Sequence, residues 1–389
     1  MTKVRIAPGG FGLFLAGVMF LAHAGVSAAG ADKPVLDGLR AKAEAALEQG
    51  DFPSATALLE QGLKLDPEWK DGLWAMGLAL YQGDRYEAAV PYLARLTKID
   101  SGNGHGWALL GMCEFQLERY GKAVEYLDRA DRLGIPTNLG LQFVALLDRG
   151  MARIQLGQYG TAAELLARLA PRNSAEERDQ LVTALGFAAM GLNPGEQLAP
   201  ERQDQVRMVG EAYYQSAASD RAAARTIFQE LCEKYPKASL LHYAQGSLLL
   251  TWSEEDAAAR EFRAELAIAP DSLLARLGLA YVALKNGAED PAAGLLAARE
   301  AVHLRPDSFP AHFYLGQLLL RNGEPAAAAT ELEIARRLSP SLSTVRFALA
   351  EAYRALKRDA EAHREFEEFK RLKALEEPAP ADRATPQSH

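Results

Sequence analysis

The chain has 389 residues, 49% of them hydrophobic and 24% charged, and a formal net charge of −8. These fractions belong to a folded chain and exclude bulk disorder or a collagen-like repeat. Two cysteines exclude a disulfide-stapled scaffold and a multi-cysteine metal site, and an acidic balance without a long basic run argues against nucleic acid or an anionic membrane surface as partner.

At the N-terminus, Lys3 and Arg5 precede the uncharged apolar stretch Phe11 to Leu21, and Val26-Ser27-Ala28 supplies small residues at a cleavage-type spacing. Residues 1–28 are expected to be a signal peptide that carries the chain across the inner membrane, placing it in the periplasm. An uncleaved N-terminal membrane anchor is the alternative, because low polarity runs on to Ala31. No second long apolar run follows, so no membrane span is expected after the signal peptide is removed. Cys113 and Cys232 lie far apart in helical patterns and are expected to be buried free thiols.

Residues 35–172 are self-similar. A small residue followed four places on by a large one recurs at Ala55/Leu59, Ala89/Leu93 and Ala123/Leu127, at a spacing of 34, and again at Ala162/Leu166. Residues 173–204 break the register. Leu181 to Leu192 reads as a helix opening like a repeat at Leu185-Gly186, and Asn193-Pro194-Gly195 ends it. This segment is either a degenerate repeat acting as a hinge or an insertion in a continuous stack. Residues 205–376 resume the pattern at Ala224/Phe228, Ala258/Phe262, Gly294/Ala298, Ala328/Leu332 and Ala362/Phe366. Residues 377–389 are polar and proline-rich and are expected to be a disordered tail.

Proline strengthens the pattern: Pro67, Pro236, Pro270, Pro306 and Pro340 each stand twelve residues after their small anchor. Twelve before the anchors stand Gly77, Gly111, Gly150, Gly246 and Gly316, with Ala43, Ala212 and Ala350 as small substitutes. Apolar residues at helical spacing mark two amphipathic helices per unit. Small residues let the two backbones approach, Gly83-Asp84, Gly157-Gln158 and Asn322-Gly323 mark the turn between them, and the proline ends the second helix.

A 34-residue helix–turn–helix with these glycine, alanine and proline places resembles the tetratricopeptide repeat family, over about residues 35 to 376. The resemblance implies an all-α fold, a right-handed α-solenoid of about four repeats in 35–172 and about five in 205–376. It further implies that the first helix of each repeat lines a concave groove. The inward places are Trp74, Leu78, Tyr81 and Gln82, then Met112, Phe115 and Gln116, then Met151, Ile154 and Gln155, with Tyr243, Tyr281 and Phe313 from later repeats. Such a groove is apolar and aromatic, and the glutamines Gln82, Gln116 and Gln155 form a column that both donates and accepts hydrogen bonds.

Motifs for chemistry are sparse. Gly102-Asn103-Gly104-His105-Gly106 follows a helix rather than a strand, so an inter-repeat linker is expected instead of a phosphate loop. No His-Glu-x-x-His or Gly-x-Ser-x-Gly occurs, and Glu176-Glu177 and Glu254-Glu255 fall at helix starts, where they favour the positive end of the helix dipole. His242 and His312 occupy equivalent repeat positions, which points to packing. The expected protein is a non-enzymatic scaffold for protein or peptide segments in cell-envelope assembly, with no metal and no cofactor. The alternative is a carbohydrate or small-ligand receptor using the groove aromatics.

Overall fold

Glycine sets the distance between the helices in five of the pairs. Gly77, Gly111, Gly150, Gly246 and Gly316 are each met sixteen residues later by a large side chain: Leu93, Leu127, Leu166, Phe262 and Leu332. A Cβ on Gly111 would lie 2.6 Å from Leu127 Cγ, and one on Gly316 would lie 2.6 Å from Leu332 Cγ. All five large side chains are fully or almost fully buried. In these five pairs the helices pack this closely because the first one lacks a side chain there.

The computed structural model describes residues 33–135, 141–170, 175–285 and 291–376. The expected signal peptide and the expected tail lie outside the described residues. Every regular element among the described residues is helical. The chain forms two compact units that divide between Ile227 and Phe228. The first unit holds four pairs: α1 (Lys33–Glu48) with α2 (Phe52–Leu65), α3 (Lys70–Gln82) with α4 (Tyr86–Ile99), α5 (Gly104–Gln116) with α6 (Tyr120–Leu133), and α7 (Leu141–Gln155) with α8 (Tyr159–Ala167). It continues through α9 (Ala175–Met190) and α10 (Pro200–Ala217). The division falls inside α11 (Arg221–Lys234). The second unit pairs α12 (Leu241–Thr251) with α13 (Glu255–Ile268), α14 (Leu273–Ala283) with α15 (Pro291–Leu304), α16 (Phe309–Arg321) with α17 (Pro325–Leu338), and α18 (Ser343–Ala355) with α19 (Asp359–Glu376). Within each unit the fold is the expected all-α stack of helix pairs.

The turn inside a pair uses one residue in the left-handed region: Gly50 at φ 72°, Asp84 at 56°, Glu118 at 59°, Gly157 at 72°, Ser253 at 60° and Gly323 at 78°. At the second turn the positive φ falls on Asp84, while Gly83 has φ −86°. The turn geometry is repeated even where no glycine relieves it, at a cost of roughly 1–2 kcal/mol for each such residue.

Residues 173–204 contribute a single extra helix, α9, which starts six residues before the expected Leu181. It packs on α10 backbone to backbone. A Cβ on Gly186 would collide with the carbonyl oxygen of Val206, and one on Gly210 with that of Val182. Helix α10 thus serves as the partner of α9 and also touches α8. The loop between α9 and α10 carries Asn193, whose Oδ1 accepts the Gly195 N–H at 2.8 Å.

A polar tie recurs four residues before the small position of the first helix. Trp107 Nε1 donates to Ser101 O at 3.0 Å. In the second unit Arg276 donates to Pro270 O and, at 2.8 Å, to Glu300. His312 bonds Pro306 O at 2.8 Å and Glu331 at 2.6 Å, and Arg346 bonds Glu365 at 2.9 Å. His242 bonds Glu261 at 2.7 Å. Each tie joins a first helix to its own second helix or to the loop entering it, which is the packing role expected for His242 and His312. Fully buried Glu265 of α13 adds a cap in trans, accepting the N–H of Leu240 at 2.6 Å and of Tyr243 at 3.3 Å at the start of α12.

The Glu261 carboxylate raises the His242 pKa above the ordinary 6.5. Its contribution to stability is therefore complete below pH 6.5 and fades as the pH rises through the higher folded value. Thermal melts between about pH 6 and pH 8 are expected to show the wild type losing on the order of 2 °C more than His242→Gln. Equal losses in the two proteins would contradict this tie.

Candidate functional site

Consecutive first helices touch each other in both units: α1 meets α3, α3 meets α5 and α5 meets α7, while α12 meets α14, α14 meets α16 and α16 meets α18. This layer carries the residues expected to face a groove, and burial divides them into two classes. Trp74, Leu78, Met112, Met151 and Ile154 are buried. Trp74 is only 6% exposed because His105 of α5 stands edge-on against its ring, with centroids 4.5 Å apart. These five side chains fill the seams between neighbouring helices. Tyr81, Gln82, Phe115, Gln116 and Gln155 remain half-buried.

Four places after the glycine, Tyr81 and Phe115 stay accessible while Ile154 is buried; five places after it, Gln82, Gln116 and Gln155 are all half-buried, close to the C-terminal end of each first helix. Near the turn the side chain is less covered by the neighbouring repeat, whereas the earlier places Trp74, Leu78, Met112 and Met151 of this unit are closed over. Tyr81 packs edge-on against Tyr86 at 5.3 Å, and Phe115 lies 5.8 Å from Tyr120. The Tyr81 hydroxyl bonds the Gln116 side chain, so α3 and α5 are linked on this face; burial holds the phenol well above its ordinary value. The glutamine column Gln82, Gln116 and Gln155 is repeated on α3, α5 and α7 with part of each amide open to solvent.

The first-helix layer of the second unit is aromatic. Tyr243, Tyr281 and Phe313 are all half-buried. Tyr281 lies 6.0 Å from Tyr314 and carries Lys285 Nζ 4.7 Å from its ring centre. Phe313 lies 6.0 Å from Tyr314 and stacks on Phe309 at 5.5 Å. Tyr243 is set against Phe262 at 6.0 Å. The structure therefore joins Tyr281 and Phe313 through Tyr314, which burial pushes up to about 12. Counting repeat positions missed Tyr314 and Phe309; aromatic clustering in the run Phe309 to Tyr314 was the available signal.

Asp148 is the other residue that counting missed. It lies on α7, three and seven residues before Met151 and Gln155, hence on the same helix face. It is 7% exposed, and its Oδ2 is enclosed without a hydrogen-bond partner. It lies close enough to Tyr81, Tyr86 and Cys113 for its charge to act on all three. Burial drives its carboxyl well above the ordinary 3.8. The neighbouring cations are engaged elsewhere. Arg149 reaches Asp128 at 2.6 Å and Asp131 at 2.7 Å, and Arg153 reaches Asp128 at 2.8 Å.

Both cysteines are free: Cys113 is buried on α5 and Cys232 is half-buried on α11. Burial raises both thiols. Among the described residues no group of three His, Cys, Asp or Glu side chains is placed to hold a metal ion, and no helix is long and apolar enough to cross a membrane. The glycine-containing loop before α5 is a helix start, with Asn103 Oδ1 accepting the Gly106 N–H at 2.8 Å.

A family model described as tetratricopeptide repeat matches residues 40–104, 75–136, 278–343 and 313–374, and a second model of the same description matches 208–238. No curated protein sequence matches the chain. Solved structures similar to it include the MamA protein, 17% identical with a TM-score of 0.40, where the match covers 45% of this chain and 96% of that one. A thermophilic TPR protein of Thermus thermophilus is 22% identical with a TM-score of 0.34, over 45% of this chain and 91% of that one. The Cut9–Hcn1 hetero-tetramer of the APC/C is 14% identical with a TM-score of 0.33, over 87% of each chain.

The enclosed carboxyl has a measurable consequence. Because its folded pKa is raised, Asp148 costs stability increasingly as the pH climbs above 3.8, where the unfolded carboxyl ionises. Replacing it by leucine is expected to raise the unfolding free energy at pH 7 by about 1–3 kcal/mol and to flatten the loss of stability with rising pH, as read by chemical denaturation. A destabilised Asp148→Leu protein would show that the carboxylate is compensated in the fold.

Proposed function

Since the chain belongs to the tetratricopeptide repeat family, we propose that it is a protein-interaction scaffold whose first-helix layers hold segments of other proteins. The observation that carries this reading is the half-accessible row Tyr81, Gln82, Phe115, Gln116 and Gln155 on successive first helices. Aromatic and apolar surface there anchors side chains, and amides spaced by the repeat engage a backbone whatever its sequence. The aromatic set Tyr243, Tyr281, Phe313 and Tyr314 gives the second unit anchors of the same kind. Binding, not catalysis, is the work proposed for both layers.

The setting proposed is the periplasm, supported by Lys3, Arg5, the apolar run Phe11 to Leu21 and the small residues ending at Ala28. There the scaffold would serve the assembly of envelope complexes. If the leader is retained, the same scaffold acts while tethered to the membrane.

A displayed library of linear peptides, selected on the full chain, tests the reading. Peptides with a Kd near micromolar, about −8 kcal/mol, are expected. Combined Gln82→Ala, Gln116→Ala and Phe115→Ala substitutions should weaken them at least tenfold, with the circular dichroism of the fold retained. Saturable glycan binding without any peptide selected, or peptide affinity unchanged in the variant, would overturn it.

A further inference from the structure

The repeat supplies an internal control for Asp148. Two residues before the small position of the first helix, the equivalent places hold Ala75, Leu109, Ala244, Gly278, Tyr314 and Ala348. All are uncharged, as a seam between packed helices requires. Only the fourth repeat puts a carboxylate there, and the described residues give it no counter-ion, because Arg149 and Arg153 turn towards Asp128 and Asp131 on α6. An enclosed carboxylate oxygen without a donor is costly, and one that departs from the pattern of its own repeat calls for a partner.

We propose that the α3–α5–α7 layer holds a cation-accepting site with Asp148 as its floor, which takes the ammonium group of a lysine side chain from the bound segment. This rests on the reading of the layer as a peptide-binding surface and names the partner chemistry it selects. The surroundings suit an alkylammonium. Phe115 on α5 offers half-buried apolar surface for a four-carbon stem, and Met151, buried one turn beyond Asp148 on α7, makes the seam behind the carboxyl apolar. Asp148 Oδ2 offers one enclosed acceptor, and Tyr81, on which the Asp148 charge acts, and Gln116 carry further oxygens in the same layer. A compact point charge with three rotatable donors fits single oxygens on different helices better than the planar fork of arginine, which requires two coplanar acceptors. The lysine would complete the charge pair that the fold leaves open. The stability forfeited at Asp148 is then the cost of a binding group, as is common at functional positions.

The test uses the full-length chain and an array of ten-residue apolar peptides in which one position carries lysine, arginine or norleucine. The wild type is expected to hold lysine peptides at least tenfold more tightly than their norleucine counterparts. Asp148→Asn, which keeps the shape and removes the charge, should reduce the two series to equal affinity while its thermal midpoint is unchanged or higher. Equal binding of lysine and norleucine peptides by the wild type would overturn the cation site and leave the peptide-binding surface standing. So would a lysine preference that survives Asp148→Asn. An arginine preference would overturn the ammonium assignment. Binding of no peptide in any series would remove both the site and the surface it rests on.

Discussion

The closest approach of the two helices in a repeat is a large side chain seated on a glycine. Leu93 on Gly77, Leu127 on Gly111, Leu166 on Gly150, Phe262 on Gly246 and Leu332 on Gly316 are one contact made five times. The contact fixes the separation and rotation of the pair, because only one rotation turns the bare side of the first helix towards the second. Once that side is committed, the opposite side of the first helix has to face the neighbouring repeats and the open layer. The half-buried row that includes Gln82, Phe115 and Gln116 is therefore a consequence of where the glycines stand.

Polar groups add to this frame without replacing it. Trp107, Arg276, His312 and Arg346 each reach back to a carbonyl of the preceding loop, and the last three also bond a glutamate of another helix. Residue type at this position varies from indole to imidazole to guanidinium, while the acceptor oxygens stay in place. What the repeat conserves along its own length is the geometry of the donor, so different side chains perform one task. Asp148 lies outside this scheme: it has no such partner, and the other repeats hold alanine, leucine, glycine or tyrosine in its place.

Much of the fold was legible in the chain. Pro67, Pro236, Pro270, Pro306 and Pro340 each stand two residues beyond the last residue of α2, α11, α13, α15 and α17, as the exclusion of helix before proline requires. The glycine places and the 34-residue rhythm located the pairs. Burial was less legible, because a repeat position specifies direction from its own helix axis and not what the next repeat lays over it. Trp74 counted as inward, yet His105 closes it off. The turn at Gly83-Asp84 showed the limit of composition, since the left-handed residue is the aspartate. The helix pairing of 173–204 was beyond a period search, because α9 is an odd helix whose seat depends on the mutual contact of Gly186 and Gly210.

The glycine contact, and not general hydrophobic burial, sets the five helix pairs that contain it. A double-mutant cycle on Gly111→Ala and Leu127→Ala measures it by denaturant unfolding. Gly111→Ala alone is expected to cost about 1–3 kcal/mol by overpacking, and Leu127→Ala about 2–5 kcal/mol by leaving a cavity. The double variant should be more stable than the sum of the two losses predicts, by about 1 kcal/mol or more, because the new methyl enters the space the leucine vacates. Losses that add to within about 0.5 kcal/mol would contradict the account.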